Sequence, residues 1–207
     1  MYIVENHFLC FLLTGDSSEM VYGPGNLLDK DVIFVSMNYR LGVFGFLTLG
    51  DDSLPGNLGM ISALVFNWCG IFFYEMWIFL TGLWDQLGSL KWVKRNIAAF
   101  GGDPNKITIF GESAGGWSIS YHLASQQSKD HFSAAIVQSG SLDMAMLNNE
   151  KIKALPGLHQ KYVNQLDCPV NTADMSTTIE CLQHKSVDEI MESSDLFSQC
   201  NSMYLYS

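Results

Sequence analysis

A glycine-flanked serine between a strand-like run and a helix-like run places the strongest constraint on how this 207-residue chain can fold. The stretch GGDPNKITIFGESAGG (residues 101–116) begins with turn residues, becomes apolar over residues 107–110 and ends in small residues around Ser113. The residues that follow place apolar side chains at helical spacing, at Trp117, Tyr121 and Ala124. We therefore predict a buried strand that feeds into a helix through a sharp turn.

Strand-like and helix-like runs alternate along the rest of the chain. KDVIFVSMN (30–38) and FSAAIVQSG (132–140) predict buried strands, and DQLGSLKWVKRNIAAF (85–100) predicts an amphipathic helix. The glycine-rich segment 39–57 predicts an ordered loop, and SVDE (186–189) has the form of a capping box that opens a short helix. This alternation predicts an α/β domain with a mainly parallel sheet flanked by helices.

The pentapeptide Gly111-Glu112-Ser113-Ala114-Gly115 has the G-x-S-x-G form of a nucleophile turn, and its place between strand and helix makes it informative. The flanking glycines are needed because a Cβ there would collide with the neighbouring helix or strand. The turn exposes the Ser113 hydroxyl and presents the Ala114 backbone N–H as an oxyanion donor. The alternative is a glycine-flanked turn that carries an inert serine.

Charge and cysteine content exclude several kinds of partner. The chain has 21 acidic and 11 basic residues, a formal net charge of -10, so a phosphate backbone or an anionic lipid face would repel it. The five cysteines form no CxxC pair and have no zinc-finger spacing, so neither a metal nor another cofactor is expected. Spacing alone leaves Cys168 and Cys181 as either a short disulfide loop or two unpaired thiols.

Four blocks of the chain resemble the type-B carboxylesterases of the α/β-hydrolase superfamily, especially insect carboxylesterases and juvenile-hormone esterases. They are NYRLGVFGFL (38–47), PGN (55–57), DQLGSLKWVKRNIAAFGGDPNKITIFGESAGG (85–116) and AIVQSG (135–140). With their flanks the family-like parts cover residues 22–59 and 83–191. The resemblance implies a partial α/β-hydrolase fold, the N-terminal half of its sheet.

The resemblance also implies a function. Members of the family hydrolyse small-molecule carboxylic esters through a Ser, Glu and His triad and an acyl-enzyme, and Ser113 matches the nucleophile. The oxyanion hole would come from the Ala114 N–H and from two upstream glycines. A disulfide between Cys168 and Cys181 and an extracellular location are implied as well, although the N-terminus lacks the basic region of a signal peptide. Nothing in the sequence indicates an oligomeric state.

Several parts of the family's catalytic apparatus are not expected in this chain. NHFLCFLL (6–13) stands where the family has a His-Gly-Gly-Gly run and holds no glycine pair. The resemblance places the triad Glu and His well over a hundred residues after the serine, and 207 - 113 = 94 residues follow Ser113, so both are expected beyond residue 207. Glu112 is not expected to be the triad acid, because adjacent side chains diverge at such a turn. His7 is expected to precede the fold. The other histidines are expected to be packing or surface residues. The chain alone is thus expected to be nearly inactive; the alternative is a non-catalytic α/β-hydrolase domain used for binding or adhesion.

An apolar run, residues 60–82, separates two family-like parts of the chain. About 20 apolar residues can span a bilayer, but Asn67 and Glu75 and the lack of flanking Lys or Arg disfavour a membrane segment. Its flanks GNLG and LWDQ join into one family-like sequence when the run is removed. We interpret the run as foreign to the fold, either translated intron or a lineage-specific insertion.

Overall fold

Four parallel strands form one sheet in the computed structural model, which describes residues 2–5, 24–47, 81–140, 155–171 and 174–193. The strands are β1 (Tyr2–Glu5), β2 (Phe34–Ser36), β3 (Thr108–Glu112) and β4 (Ala134–Gln138). Their order across the sheet is β2-β1-β3-β4, and each neighbouring pair is parallel. The predicted parallel α/β architecture is confirmed.

The helices of the described residues flank this sheet or follow it in the chain. They are α1 (Gly25–Leu28), α2 (Gly42–Phe46), α3 (Thr81–Asn96), α4 (Ala114–Ala124), α5 (Leu155–Gln165), α6 (Ser176–Gln183) and α7 (Val187–Glu192). A 3-10 turn over Ile97–Phe100 continues α3. The helix predicted at 85–100 is therefore confirmed, and it begins four residues earlier than expected, at Thr81.

Strand β1 lies inside the sheet, where Tyr2 pairs with Phe34 of β2 and with Thr108 of β3. The expectation that His7 precedes the fold is therefore wrong, because the sheet begins before that residue. Four residues carry too little periodicity to predict a strand. Tyr2–Glu5 becomes a strand through pairing with segments far along the chain, which no local pattern reports.

The segment expected to be a loop, residues 39–57, contains the short helix α2, and that expectation is wrong over Gly42–Phe46. Gly42 has a φ of 54°, a left-handed value that glycine adopts without steric cost. A Cβ on Gly45 would lie 2.6 Å from the backbone carbonyl carbon of Arg40. Glycine thus permits the tight approach that closes this turn of helix, and residues 48–57 lie outside the described part of the chain.

Apolar residues of α3, β3 and α4 form the main core of the described residues. The buried faces consist of Leu90, Val93 and Ile97 from α3 and its extension, Ile107 and Ile109 around β3, and Ile119 from α4. The spacing of the α3 residues is helical, so one stripe of the helix covers the sheet. This core holds β3 and α4, and therefore the turn between them, in a fixed relation.

Strand β4 is more exposed than expected from the apolar run 132–140. Ile136 is 45% exposed and Val137 is 36% exposed. The prediction of a buried strand is therefore wrong for the described residues, although the strand itself is confirmed. The physical reason is position: β4 is at the edge of the described sheet, with β3 as its paired neighbour.

The disulfide implied by the resemblance is present between Cys168 and Cys181 and is confirmed. It lies beside a second apolar cluster that includes Tyr162, Val163 and Met175. With a sequence separation of 13, the chain-entropy account assigns such a loop about 3 kcal/mol of stabilisation.

The predicted capping box of α7 is also confirmed, since the Ser186 N–H donates to Glu189 Oε2 at 2.8 Å and the Glu189 N–H donates to Ser186 Oγ at 3.2 Å.

The apolar run 60–82 is described only at its end. Residues 60–80 lie outside the described residues, and Thr81 and Gly82 are the first two residues of α3. The interpretation of the run as foreign to the fold stays a prediction. None of the described helices is both long enough and apolar enough to cross a membrane.

A bidentate ion pair between Arg40 and Asp85 joins the segment before α2 to the first turns of α3. Arg40 donates to the Asp85 carboxylate from its Nε and Nη2, each at 2.8 Å, and from its backbone N–H at 3.0 Å. The hydrogen bonds from Arg40 lower the pKa of Asp85. The pair is partly solvent-exposed, at 55% for the Arg40 side chain and 27% for that of Asp85, so screening limits what it contributes.

Asp85→Asn is expected to lower the free energy of unfolding by about 1 kcal/mol at pH 7 in low salt, and by less in 1 M salt. Because the folded-state pKa of Asp85 is depressed, its contribution is present above the unfolded pKa and is lost as the pH falls through the folded value. Urea unfolding at two salt concentrations measures the effect. Asp130→Asn on an exposed loop is the control, and equal losses from both variants would contradict the prediction.

Candidate active site

Ser113 occupies a sharp turn between β3 and α4. Its φ is 54° and its ψ is -112°, a combination that L-residues rarely adopt and that costs on the order of 1–3 kcal/mol. The Ser113 N–H donates to the Gln138 carbonyl at 2.8 Å, and the Ser113 carbonyl accepts from the Trp117 N–H at 2.9 Å. The backbone of the serine is thus held by β4 on one side and by α4 on the other, while the residue itself is exposed.

Glycines around the turn let α4 pack directly against the ends of β3 and β4. A Cβ on Gly111 would lie 2.6 Å from the carbonyl carbon of Gly115, which is itself buried. A Cβ on Gly116 would lie 2.8 Å from the carbonyl oxygens of Gln138 and Gly140. A side chain at Gly111 would therefore collide with the backbone of Gly115, the other glycine that flanks the serine.

Ala114 and Glu112 stand on either side of the serine. Ala114 is the first residue of α4, a position whose N–H has no acceptor within its own helix and points toward the N-terminal end. Glu112 is the last residue of β3 and is exposed. The arrangement offers a hydroxyl and a backbone donor on one exposed turn, which suits attack on a carbonyl followed by stabilisation of the resulting oxyanion.

Residues 6–13, which stand in place of the family's upstream oxyanion glycines, lie outside the described residues, so the expected lack of those donors stays a prediction. Two of the described imidazoles, those of His122 and His184, have hydrogen-bond partners other than Ser113. His122 uses its ring nitrogens on Gln86 and Ser128, and His184 Nδ1 contacts the carbonyl of Glu180. Neither of these two rings is therefore placed to take a proton from the Ser113 hydroxyl in the hydrogen bonds that the described residues form.

Two residues of the turn were not among the predicted site residues: Gln138 and Gly140. Gln138 holds the Ser113 N–H through its carbonyl, and a Cβ on Gly140 would collide with the Ser113 carbonyl oxygen. Both belong to the run AIVQSG, which resembles the family, but the sequence gives no sign that this run contacts the Ser113 turn. A small residue directly after a predicted strand is the only local signal of such a contact.

The chain matches the carboxylesterase family over residues 10–65 and 81–205, so residues 66–80 fall between the two matched ranges. Esterase FE4 of Myzus persicae is 40% identical over 176 residues, which are 84% of this chain and 26% of that protein. Juvenile hormone esterase of Tribolium castaneum is 37% identical over 185 residues, 88% of this chain and 27% of that protein. The chain thus spans only a minor part of the length of these curated relatives.

A solved structure is similar as well. The structure of juvenile hormone esterase from Manduca sexta, with OTFP covalently attached, superposes with a TM-score of 0.70 at 26% sequence identity. The superposition covers 93% of this chain and 31% of that chain. The parallel sheet with its flanking helices is therefore part of an α/β-hydrolase fold.

Proposed function

This chain belongs to the carboxylesterase family, and from that premise we propose that it carries the nucleophile of a hydrolase that acts on small-molecule carboxylic esters. The observation that carries the proposal is the Ser113 turn, with a strained backbone, an exposed serine and a helix N-terminus directly after it. Strained backbone at an exposed, chemically capable residue favours a functional role over a structural one.

In the proposed reaction Ser113 Oγ attacks the ester carbonyl, and the hydroxyl proton passes to a base. The carbonyl oxygen becomes an oxyanion that the Ala114 N–H stabilises. The alcohol leaves with a proton, and water later removes the acyl group from the serine. A serine without a base is a weak nucleophile. We therefore propose that the base comes from polypeptide outside the described residues, and that the 207-residue chain alone turns over slowly.

The disulfide between Cys168 and Cys181 supports an extracellular location for the protein. Structural disulfides persist in oxidising compartments and are rare in the cytosol. A non-catalytic α/β-hydrolase domain for binding or adhesion is the second candidate, favoured by the engagement of the His122 and His184 rings with groups other than Ser113.

Acylation by a short-chain activated ester, followed by intact-mass spectrometry, tests the proposal on the chain itself. Because an activated ester has a good leaving group, acylation is expected even when the base is missing. Slow hydrolysis then lets a single acyl group accumulate on Ser113. Ser113→Ala is expected to remove that adduct.

Ser120→Ala is the matched control, because this serine lies on the same helix and its hydroxyl donates to the Gly116 carbonyl at 3.0 Å. It is expected to leave the acylation unchanged. Equal acylation of wild type and Ser113→Ala would remove the enzyme proposal and leave the binding domain as the better account.

A further inference from the structure

A buried polar network joins α3 to α4 away from the Ser113 hydroxyl. His122, on the last turns of α4, makes two ring contacts of 2.9 Å, from Nε2 to Gln86 Oε1 and from Nδ1 to Ser128 Oγ. Gln86 also donates from Nε2 to Ser118 Oγ at 3.3 Å. All four side chains are at most 2% exposed. A single residue of α3 therefore contacts α4 both near its middle and near its end.

The hydrogen-bond chemistry of the network fits a neutral imidazole that donates from Nε2. Gln86 Oε1 only accepts, so His122 Nε2 must carry a proton and donate. The neutral ring then has an unprotonated Nδ1, which accepts from the Ser128 hydroxyl. Every polar atom of the ring is satisfied when the imidazole is neutral, so the geometry is complete without a charge.

Among the described residues, no hydrogen bond joins the His122 ring to a charged side chain, since its two ring nitrogens contact Gln86 and Ser128. On α3, Asp85 is engaged by Arg40, and on the loop after α4, Lys129 and Asp130 are exposed. Tyr121 on α4 is itself buried, and its pKa is raised to about 12, so it stays neutral. Burial alone lowers the pKa of His122 from 6.5 to about 4.

The network acts on the same helix that begins at Ser113. Because α4 is 11 residues long and is held at Ser118 and His122, its axis and rotation relative to α3 depend on these contacts. We propose that His122 is a positioning residue, which through Gln86 and Ser128 sets the placement of α4 and of the Ser113 turn, and does so only as a neutral ring. The catalytic meaning of this placement rests on the proposed function.

The pH dependence follows from the two protonation states. An opened state, with the imidazole in water, takes up a proton below pH 6.5, whereas the closed state does so only near pH 4. The closed state is therefore fully favoured above pH 6.5 and loses its advantage as the pH falls from 6.5 to 4. At pH 4 opening is expected to be about a hundredfold more frequent than at pH 7.

Amide hydrogen exchange at the turn, followed by NMR from pH 7 to pH 4, tests the proposal on the full chain. The probes are the Ser113 and Trp117 N–H groups, which donate to Gln138 and Ser113. After correction for intrinsic exchange, the protection factors of these two amides in the wild type are expected to fall about a hundredfold between pH 7 and pH 4. His122→Gln keeps a donor and an acceptor but cannot titrate, so its protection is expected to stay constant over this pH range.

The matched control is His184→Gln, which replaces an exposed histidine of the α6 end and is expected to keep the wild-type profile. His122→Ala is expected to lose protection at every pH. If His122→Ala does not fold, Ser128→Ala removes only the Nδ1 partner and is expected to lower protection at pH 7. The proposal is overturned if His122→Gln follows the wild-type pH profile. Failure of Ser113 acylation would not affect this outcome.

Discussion

Gly140→Ala is expected to lower the free energy of unfolding by about 3 kcal/mol or more, although it adds one methyl group. The new Cβ would collide with the Ser113 carbonyl oxygen and would lie 2.8 Å from its carbonyl carbon and 3.0 Å from the Trp117 nitrogen. These are backbone atoms, so no side-chain rotation relieves the contact. Either β4 or the Ser113 turn has to move, and both are held by the hydrogen bond from Ser113 to Gln138. Urea unfolding measures the loss.

A glycine in open space provides the control for Gly140. Gly88 lies on an exposed part of α3, and apart from its chain neighbours and the nearby backbone of its own helix, no described atom lies within 4 Å of a Cβ built there. Gly88→Ala is expected to raise the stability by up to about 1 kcal/mol, because alanine is the better helix former. If both variants change the stability equally, the packing of the turn against β4 is not as described. Gly140→Ala is also expected to reduce acylation of Ser113, since the serine would lose its placement.

The elements nearest the Ser113 turn could be predicted because their signals are local. Periodicity in α3 and α4, β-branched residues in β3 and the glycines of the pentapeptide each report the conformation of their own few residues. The capping box at Ser186 belongs to the same class, since a serine and a glutamate three residues apart satisfy each other. Where a pattern and its physical cause lie within one turn or one strand, sequence reasoning succeeds.

The features that were not predicted depend on residues far apart in the chain. Strand β1 exists because Tyr2–Glu5 pairs with β2 and β3, and the exposure of Ile136 follows from the edge position of β4. The contact between Gly140 and Ser113 needs β4 to lie beside β3, which no residue near Gly140 specifies. Strand order is a global property, so these contacts become visible only in the folded chain.

The polar network at His122 shows the same division. His122 is expected to be either a packing or a surface residue, and the structure shows that it is buried. Its partners Gln86 and Ser128 lie 36 and 6 positions away. The sequence leaves His122 as either a packing or a surface residue, and it gives no signal for the hydrogen bonds through which the ring joins α3 to α4.

Ile107→Asn is expected to cost about 4 kcal/mol, a large part of the stability of a typical domain. Ile107 is fully buried against the core formed by α3, β3 and α4. The substitution removes the favourable transfer free energy of the buried isoleucine side chain. It also buries a polar amide where the described residues offer it no hydrogen-bond partner. The backbone of Ile107 adds to the effect, because its carbonyl accepts from the Ser133 N–H at 2.7 Å and helps to place β4.

The matched substitution is Ile136→Asn on β4, where the side chain is 45% exposed. Since its amide would reach water, the expected loss is below about 1 kcal/mol. Urea unfolding at pH 7 compares the two, and Ile107→Val, with an expected cost of about 1 kcal/mol, serves if Ile107→Asn does not fold. Similar losses at positions 107 and 136 would mean that β4 is covered as completely as β3, and that the sheet in solution extends beyond the four described strands. If β4 is an exposed edge, Ile107→Asn lowers the free energy of unfolding clearly more than Ile136→Asn does.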